Sequence, residues 1–151
     1  MREEKKVISW NKLDRDYDKG IARYKGKLFT GIAVFDPVGD KKNVPEVFAS
    51  WDKFEEHYKG GKLDGLKTEW HGNGEKKSEI HYKDGALEGL STEWYESGLK
   101  DNEKNYKDGE IDGSWTFWHE NGQKGSEIYY KNGILNGLST EWHENGQKKK
   151  K

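Results

Sequence analysis

One 24-residue phrase is written four times between Tyr58 and the end of the chain, opening at Tyr58, Tyr82, Tyr106 and Tyr130. The second copy reads YKDGALEGLSTEWYESGLKDNEKN and the fourth reads YKNGILNGLSTEWHENGQKKKK. A fixed period of about 20–50 residues marks small supersecondary units that are stable only when stacked on their neighbours. Recurrence also disciplines any functional claim. A residue that returns in every copy is explained first by architecture, so a specific site has to be sought where the copies disagree.

Each copy carries its own punctuation. Counting from the tyrosine as offset 0, glycine stands at offset 3, at offset 7 and at offset 16. In three copies the first glycine follows Asp or Asn, as Asp84-Gly85, Asp108-Gly109 and Asn132-Gly133. These pairs favour the two positive φ values of a type I′ hairpin turn. The third glycine closes Gly-Asn-Gly, Glu-Ser-Gly or Glu-Asn-Gly, which are again turn signals. Between the turns lie two strand-sized runs. Leu90 to Tyr95 alternates Leu, Thr and Trp with Ser, Glu and Tyr, the period-2 pattern of a half-buried strand. The second run, such as Glu75 to Tyr82, carries Ile80 and Tyr82 at alternating places. No segment keeps a 3.6-residue apolar period. The unit reads strand, turn, strand, turn, and the chain as an all-β, elongated antiparallel meander of β-hairpins.

The glycine at offset 7 has a separate task. A two-residue turn at Asp84-Gly85 pairs Tyr82 with Leu87. Strict alternation then puts Leu90, Thr92 and Trp94 on the face opposite Tyr82. If all of them share one core face, an odd-residue shift is needed. Glycine within a strand marks the natural place for it. Bulges are therefore expected near Gly65, Gly89, Gly113 and Gly137.

The unit extends to the start of the chain in degenerate form. Tyr24 to Gly31 aligns with Tyr58 to Gly65, and the excess length of this unit falls around Pro37 and Pro45, which reads as a loop. Terminal repeats are commonly atypical because an end has to be capped. The expected organisation is a single repeat domain over 1–151. It comprises a cap at 1–23, a degenerate unit at 24–57, and units at 58–81, 82–105, 106–129 and 130–151, about five units in all. Val7, Ile8, Trp10 and Leu13 suit the cap. The closing lysines read as a guard against edge-to-edge pairing.

Composition bounds the function. Apolar residues make up 30%, charged residues 36% and aromatics 13%. Disordered chains share the first two properties but are poor in aromatics, so these numbers suit a thin sheet built from Trp, Tyr and Leu. A net charge of −1 with interspersed signs gives no basic face for nucleic acid. There is no cysteine, hence no disulfide or thiolate metal site. No run is long and apolar enough to span a membrane, and the start lacks a signal-like apolar stretch. The expected setting is cytoplasmic.

At Tyr-Lys-Asp-Gly, at Thr-Glu-Trp-x-Glu-x-Gly and at Glu-Asn-Gly-Gln-Lys the chain resembles the MORN-repeat-variant family of bacterial proteins. Its lead-in, from Leu13 through Tyr24 to Phe29-Thr30-Gly31, is similar to that of the family's antitoxin branch. The resemblance covers roughly residues 10 to 151. It implies a MORN-like array of side-by-side hairpins and a binding role, with an antitoxin-like capture of a partner as its specific form.

Catalytic parts are few. His71, His119 and His143 share offset 13, where the second copy has Tyr95. Glu69 with His71, Glu79 with His81 and Glu141 with His143 form Glu-x-His, which zinc could accept. They recur because the unit recurs, and Tyr95 breaks the series. No metal site, cofactor or catalytic residue is expected, and no nucleophile lies beside a base. Trp70, Trp94, Trp118 and Trp142 at offset 12 read as a buried core ladder. The third copy departs with Trp115 and Phe117 on strand positions that are otherwise Ser, Lys or Glu. With Trp118 inward, these two point outward, and they are the candidate partner-binding residues. The expected function is a non-enzymatic scaffold for protein–protein interaction. A carbohydrate or cell-envelope binding module using exposed aromatics is the alternative, and self-association remains open.

Overall fold

The computed structural model describes residues 6–16, 19–35 and 53–150. The Pro37–Pro45 loop expected from the sequence lies outside them. The regular part is a run of hairpins. β6 (Phe54–Lys59) and β7 (Lys62–Trp70) are followed by β8 (Lys76–Lys83) and β9 (Ala86–Trp94). β10 (Lys100–Lys107), β11 (Glu110–Trp118) and β12 (Lys124–Lys131) continue the series, and β13 (Ile134–Leu135) and β14 (Thr140–Glu141) end it. Each strand from β6 to β12 pairs antiparallel with the next, and both β13 and β14 pair with β12. This is the meander that the repeat predicts.

The expected I′ turns form. Asp84, Asp108 and Asn132 have φ of 50°, 51° and 48°, and the glycine after each is also positive. Lys25-Gly26 and Gly60-Gly61 make the same turn. Turns stack on one another through the backbone. Gly85 N–H donates to the Leu63 carbonyl, Gly109 to Leu87 and Gly133 to Ile111, at 2.8–2.9 Å. The acid at offset 6 adds a second tie: Asp64, Glu88 and Asp112 accept from the backbone N–H of Asp84, Asp108 and Asn132.

Bulges occur at Gly65, Gly89 and Gly113, but with a different count from the expected one. Tyr82 pairs with Leu87 and Ile80 with Ser91, so three residues centred on Gly89 oppose His81 alone. The same register step separates Tyr58↔Leu63 from Glu56↔Lys67, and Tyr106↔Ile111 from Lys104↔Trp115. Two extra residues are an even number, so the side-chain alternation is preserved. Tyr82, Leu87 and Ile80 therefore stay on one face, and Thr92 and Trp94 lie on the other. The expectation of a single shared core face is wrong for this reason. A further one-residue bulge, at Lys77, Asp101 and Gly125, sets Lys76, Lys100 and Lys124 beside Trp70, Trp94 and Trp118.

The array's first end is built differently. β1 (Val7–Ser9) pairs parallel with β5 (Gly31–Phe35), an exception to the antiparallel rule, and β5 pairs with β6. A 3-10 turn at Trp10–Lys12 leads to a small sheet of β2 (Asp14–Asp16), β3 (Ile21–Tyr24) and β4 (Lys27–Leu28). Leu13, Ala22, Phe29, Ala33 and Tyr58 form the buried cluster, with Ile8, Trp10, Tyr24 and Leu63 packed against it. The cap is tied to the first regular turn by Ala22 N–H to the Gly61 carbonyl and Gly61 N–H to the Phe29 carbonyl, both 2.6 Å. Phe29 stands where Leu63 stands in the next unit, so even this contact follows the repeat.

Candidate functional site

The threonine face is closed by its own ladder. Thr68, Thr92 and Thr116 are buried, between rows of Glu79, Glu103 and Glu127. Trp70, Trp94 and Trp118 are half-buried rather than core. Among the described residues no second layer covers this face, and each ring has a lysine beside it instead, Lys53 in the case of Trp70. Lys76, Lys100 and Lys124 lie 5.3–5.6 Å from the rings of Trp94, Trp118 and Trp142. A cation over an indole face is favourable, and the lysine stem shields the ring. The recurring His at offset 13 also has a structural task. His71 and His119 donate from Nε2 to the carbonyls of Trp94 and Trp142, and Tyr95 donates through its hydroxyl to that of Trp118. Tyr replaces His without loss because both supply one donor at that reach. Partial desolvation, together with the carboxylates of Asp101 and Glu120, pushes the Tyr95 phenol up to about 12. Among the described residues no group of three His, Asp or Glu is placed to hold a metal ion.

The tyrosine face is open over most of its length. Its row runs Tyr58, Leu63, Tyr82, Leu87, Tyr106, Ile111 and Tyr130 across the strands. The cap buries Tyr58, while the equivalent Tyr82, Tyr106 and Tyr130 are only half-buried. Beneath the cap, buried Glu56 is the polar hub. It accepts from the Tyr58 hydroxyl at 2.7 Å and the Trp10 indole N–H at 3.2 Å, and it faces Arg15 at 3.9 Å and Lys67 at 3.5 Å. Arg15 stacks 3.3 Å above the Trp10 ring. Burial and the Glu56 carboxylate raise the Tyr58 pKa well above the usual phenol value. Burial opposes the charge on Lys67, yet Glu69 and Glu56 hold its pKa above the ordinary value. A cleft of about 190 Å³ beside this hub is lined by Ile21, Ala22 and Leu63 among others. Nothing in either segment of the sequence marks Arg15 and Glu56 as partners, so this hub emerges only from the fold.

Trp115 and Phe117 lie on the tyrosine face, opposite Trp118, as strand alternation requires. Trp115 pairs with Lys104 and Ile128, has Lys104 4.9 Å above its ring, and meets Tyr130 at 6.1 Å. Its indole N–H is closed off from solvent without an acceptor. Phe117 meets the His119 ring edge-on at 5.7 Å and lies over Gly125. A Cβ at Gly125 would stand 2.7 Å from the Phe117 ring. Other copies carry Lys77 or Asp101 at that bulge and Glu69 or Glu93 opposite, so Phe117 and Gly125 changed together. Gly125→Asp is expected to cost about 1–3 kcal/mol by overpacking. Adding Phe117→Glu should recover most of it. Chemical denaturation of the two singles and the double measures the coupling, and additive effects would refute the pairing.

The repeat geometry described above has a counterpart among known families. Three segments match the model of the MORN repeat variant: residues 63–84, 111–132 and 135–151. Each MORN-variant match begins at the leucine or isoleucine that follows a hairpin turn, and the first two run through the next turn. The intervening copy, 87–108, is the one with Lys104 in place of isoleucine and Tyr95 in place of histidine, yet it occupies the same place in the sheet. MORN repeats are commonly scaffolds for protein or membrane contact. Neither a curated protein nor a solved structure matches the chain. No helix among the described residues is long and apolar enough to cross a membrane.

Proposed function

We propose that the chain is a non-enzymatic MORN-variant scaffold that holds another protein against its tyrosine face. The observation that carries the reading is the contrast along one row. Tyr58 is buried beneath the cap, whereas Tyr82, Leu87, Tyr106, Ile111 and Tyr130 continue the same row and are only half-buried among the described residues. The apolar row broadens at Trp115 and Phe117, where aromatic residues replace polar ones. Contiguous apolar surface of this kind marks an interaction site, and aromatics are enriched in such sites. An antitoxin-like capture of a toxin protein is the specific form of this reading, supported by the resemblance of the Leu13–Gly31 lead-in. A flat sugar-stacking platform is less well supported, because Phe117 is engaged with His119 and Gly125.

The test is affinity capture from source cells with the wild-type chain and with Trp115→Ala/Phe117→Ala, after circular dichroism shows both folded. The expected result is a defined partner that the double variant loses. Recovery of the same proteins by both chains removes these residues from the site. Quenching of tryptophan fluorescence by an oligosaccharide panel, reversed by the double variant, would favour the carbohydrate alternative.

A further inference from the structure

Asparagine followed by glycine is chemically unstable. The glycine nitrogen attacks the asparagine side-chain carbonyl carbon, and no Cβ on the glycine hinders it. The chain contains five such pairs: Asn73-Gly74, Asn121-Gly122, Asn132-Gly133, Asn136-Gly137 and Asn145-Gly146. The dipeptide alone ranks them equally, whereas the fold separates one from the rest.

The attack needs a glycine N–H that can be given up and a side-chain amide free to rotate. Gly74 donates its N–H to the His71 carbonyl at 2.9 Å, Gly122 to His119 at 2.8 Å, Gly133 to Ile111 at 2.9 Å and Gly146 to His143 at 2.8 Å. Asn73, Asn121 and Asn145 are also held through Oδ1, which accepts from the backbone N–H of Glu75, Gln123 and Gln147. The amides of Asn73 and Asn121 donate in turn to the carbonyls of Glu96 and Glu144. Asn136-Gly137 differs on both counts. Neither the Gly137 N–H nor the Asn136 side chain has a hydrogen-bond partner among the described residues, and both residues are exposed.

The cause is their place in the sheet. Gly65, Gly89 and Gly113 pair with Tyr82, Tyr106 and Tyr130 on the following strand. Among the described residues no strand pairs with Gly137. Residues 136–139 interrupt the edge between β13 and β14, where β7, β9 and β11 run unbroken. A segment with few backbone hydrogen bonds opens at little cost.

We propose that Asn136 is a self-modification site that deamidates selectively in the folded chain. The Gly137 nitrogen bonds to Asn136 Cγ, the Cγ–Nδ2 bond breaks, and the Gly137 proton leaves with Nδ2 as ammonia. Water then opens the resulting succinimide at either carbonyl, giving an aspartyl or an isoaspartyl residue. The aspartyl product restores the acid that the other copies carry at this offset, as Asp64, Glu88 and Asp112. The isoaspartyl product lengthens the main chain by a methylene. It does so beside the bond from Asn136 N–H to the Tyr129 carbonyl and the Leu135–Tyr130 pair, and so loosens the last rung of the tyrosine row.

The experiment ages the full chain at mildly alkaline pH, in buffer and in denaturing urea, and maps deamidation by mass spectrometry with fragmentation. Cleavage after Lys131 and Lys148 releases one peptide that holds Asn132, Asn136 and Asn145 together. In the folded chain Asn136 is expected to react at least about fivefold faster than any other pair, the factor for one protecting hydrogen bond. In urea all five should react at similar rates. Asn136→Gln should remove the fast phase and leave the four slow ones unchanged. An earlier or equal reaction at another pair in the folded chain overturns the proposal. So does the same selectivity in urea, which would place the cause in the flanking residues and not in the open edge.

Discussion

Glu56→Ala should destabilise the chain by about 3–5 kcal/mol, the range found when one member of a buried ion pair is removed. The side chains of Glu56 and Arg15 are 10% and 11% exposed. Removing the carboxylate leaves the Trp10 indole N–H and the Tyr58 hydroxyl without their acceptor, leaves the buried Arg15 guanidinium without its counter-charge and with only the Trp10 carbonyl to donate to, and leaves Lys67 with Glu69 alone. Tyr58→Phe deletes only one hydrogen bond and should cost about 1 kcal/mol. Urea denaturation measures both. Hydrogen exchange should show that the loss in Glu56→Ala begins in residues 19–35, because Glu56 joins the cap to the sheet. A Glu56→Ala cost no larger than that of Tyr58→Phe would show that water takes over the role of the carboxylate.

Alanine at Gly31 is expected to cost about 3 kcal/mol, combining backbone strain with overpacking. Gly31 has φ of +150°, and a Cβ there would overlap the Lys6 carbonyl oxygen and stand 2.8 Å from the Phe29 ring. That carbonyl accepts from Ile32 N–H at 2.8 Å in the first rung between β1 and β5. The substituted chain can only push β1 away or displace Phe29 from the buried cluster. Thermal unfolding beside Gly109→Ala, which has positive φ but no neighbour within 4 Å, separates the two contributions. Equal losses in both variants would mean that close packing at Gly31 contributes nothing.

The hairpin order was legible because Asp-Gly and Asn-Gly pairs return every 24 residues and dictate where the chain reverses. The position of the bulges was legible for a similar reason, since a strand glycine is conspicuous. Their size was not. One extra residue and two leave the same sequence signature, but they send Thr92 and Trp94 to opposite faces relative to Tyr82. That parity decides which side chains form each surface, and only the register of Ile80 with Ser91 reveals it. Their chemistry alone assigns the tryptophans to a core. In a single-layer sheet, half-burial beneath a lysine is what is available to them.

The candidate surface shows the same division. Trp115 and Phe117 were visible as departures from the repeat, because comparing one copy with another needs no structure. The matching change at Gly125 was equally present in the sequence, but its meaning required the distance to the Phe117 ring. The Arg15–Glu56 hub joins residues some forty positions apart with no recurring pattern, so no local rule could pair them. By itself, then, the sequence determined the period, the turns, the all-β class and the odd copies, since these follow from short-range backbone preference and repetition. Tertiary structure alone decided which face is open, because that depends on bulge parity and on where the cap comes to lie.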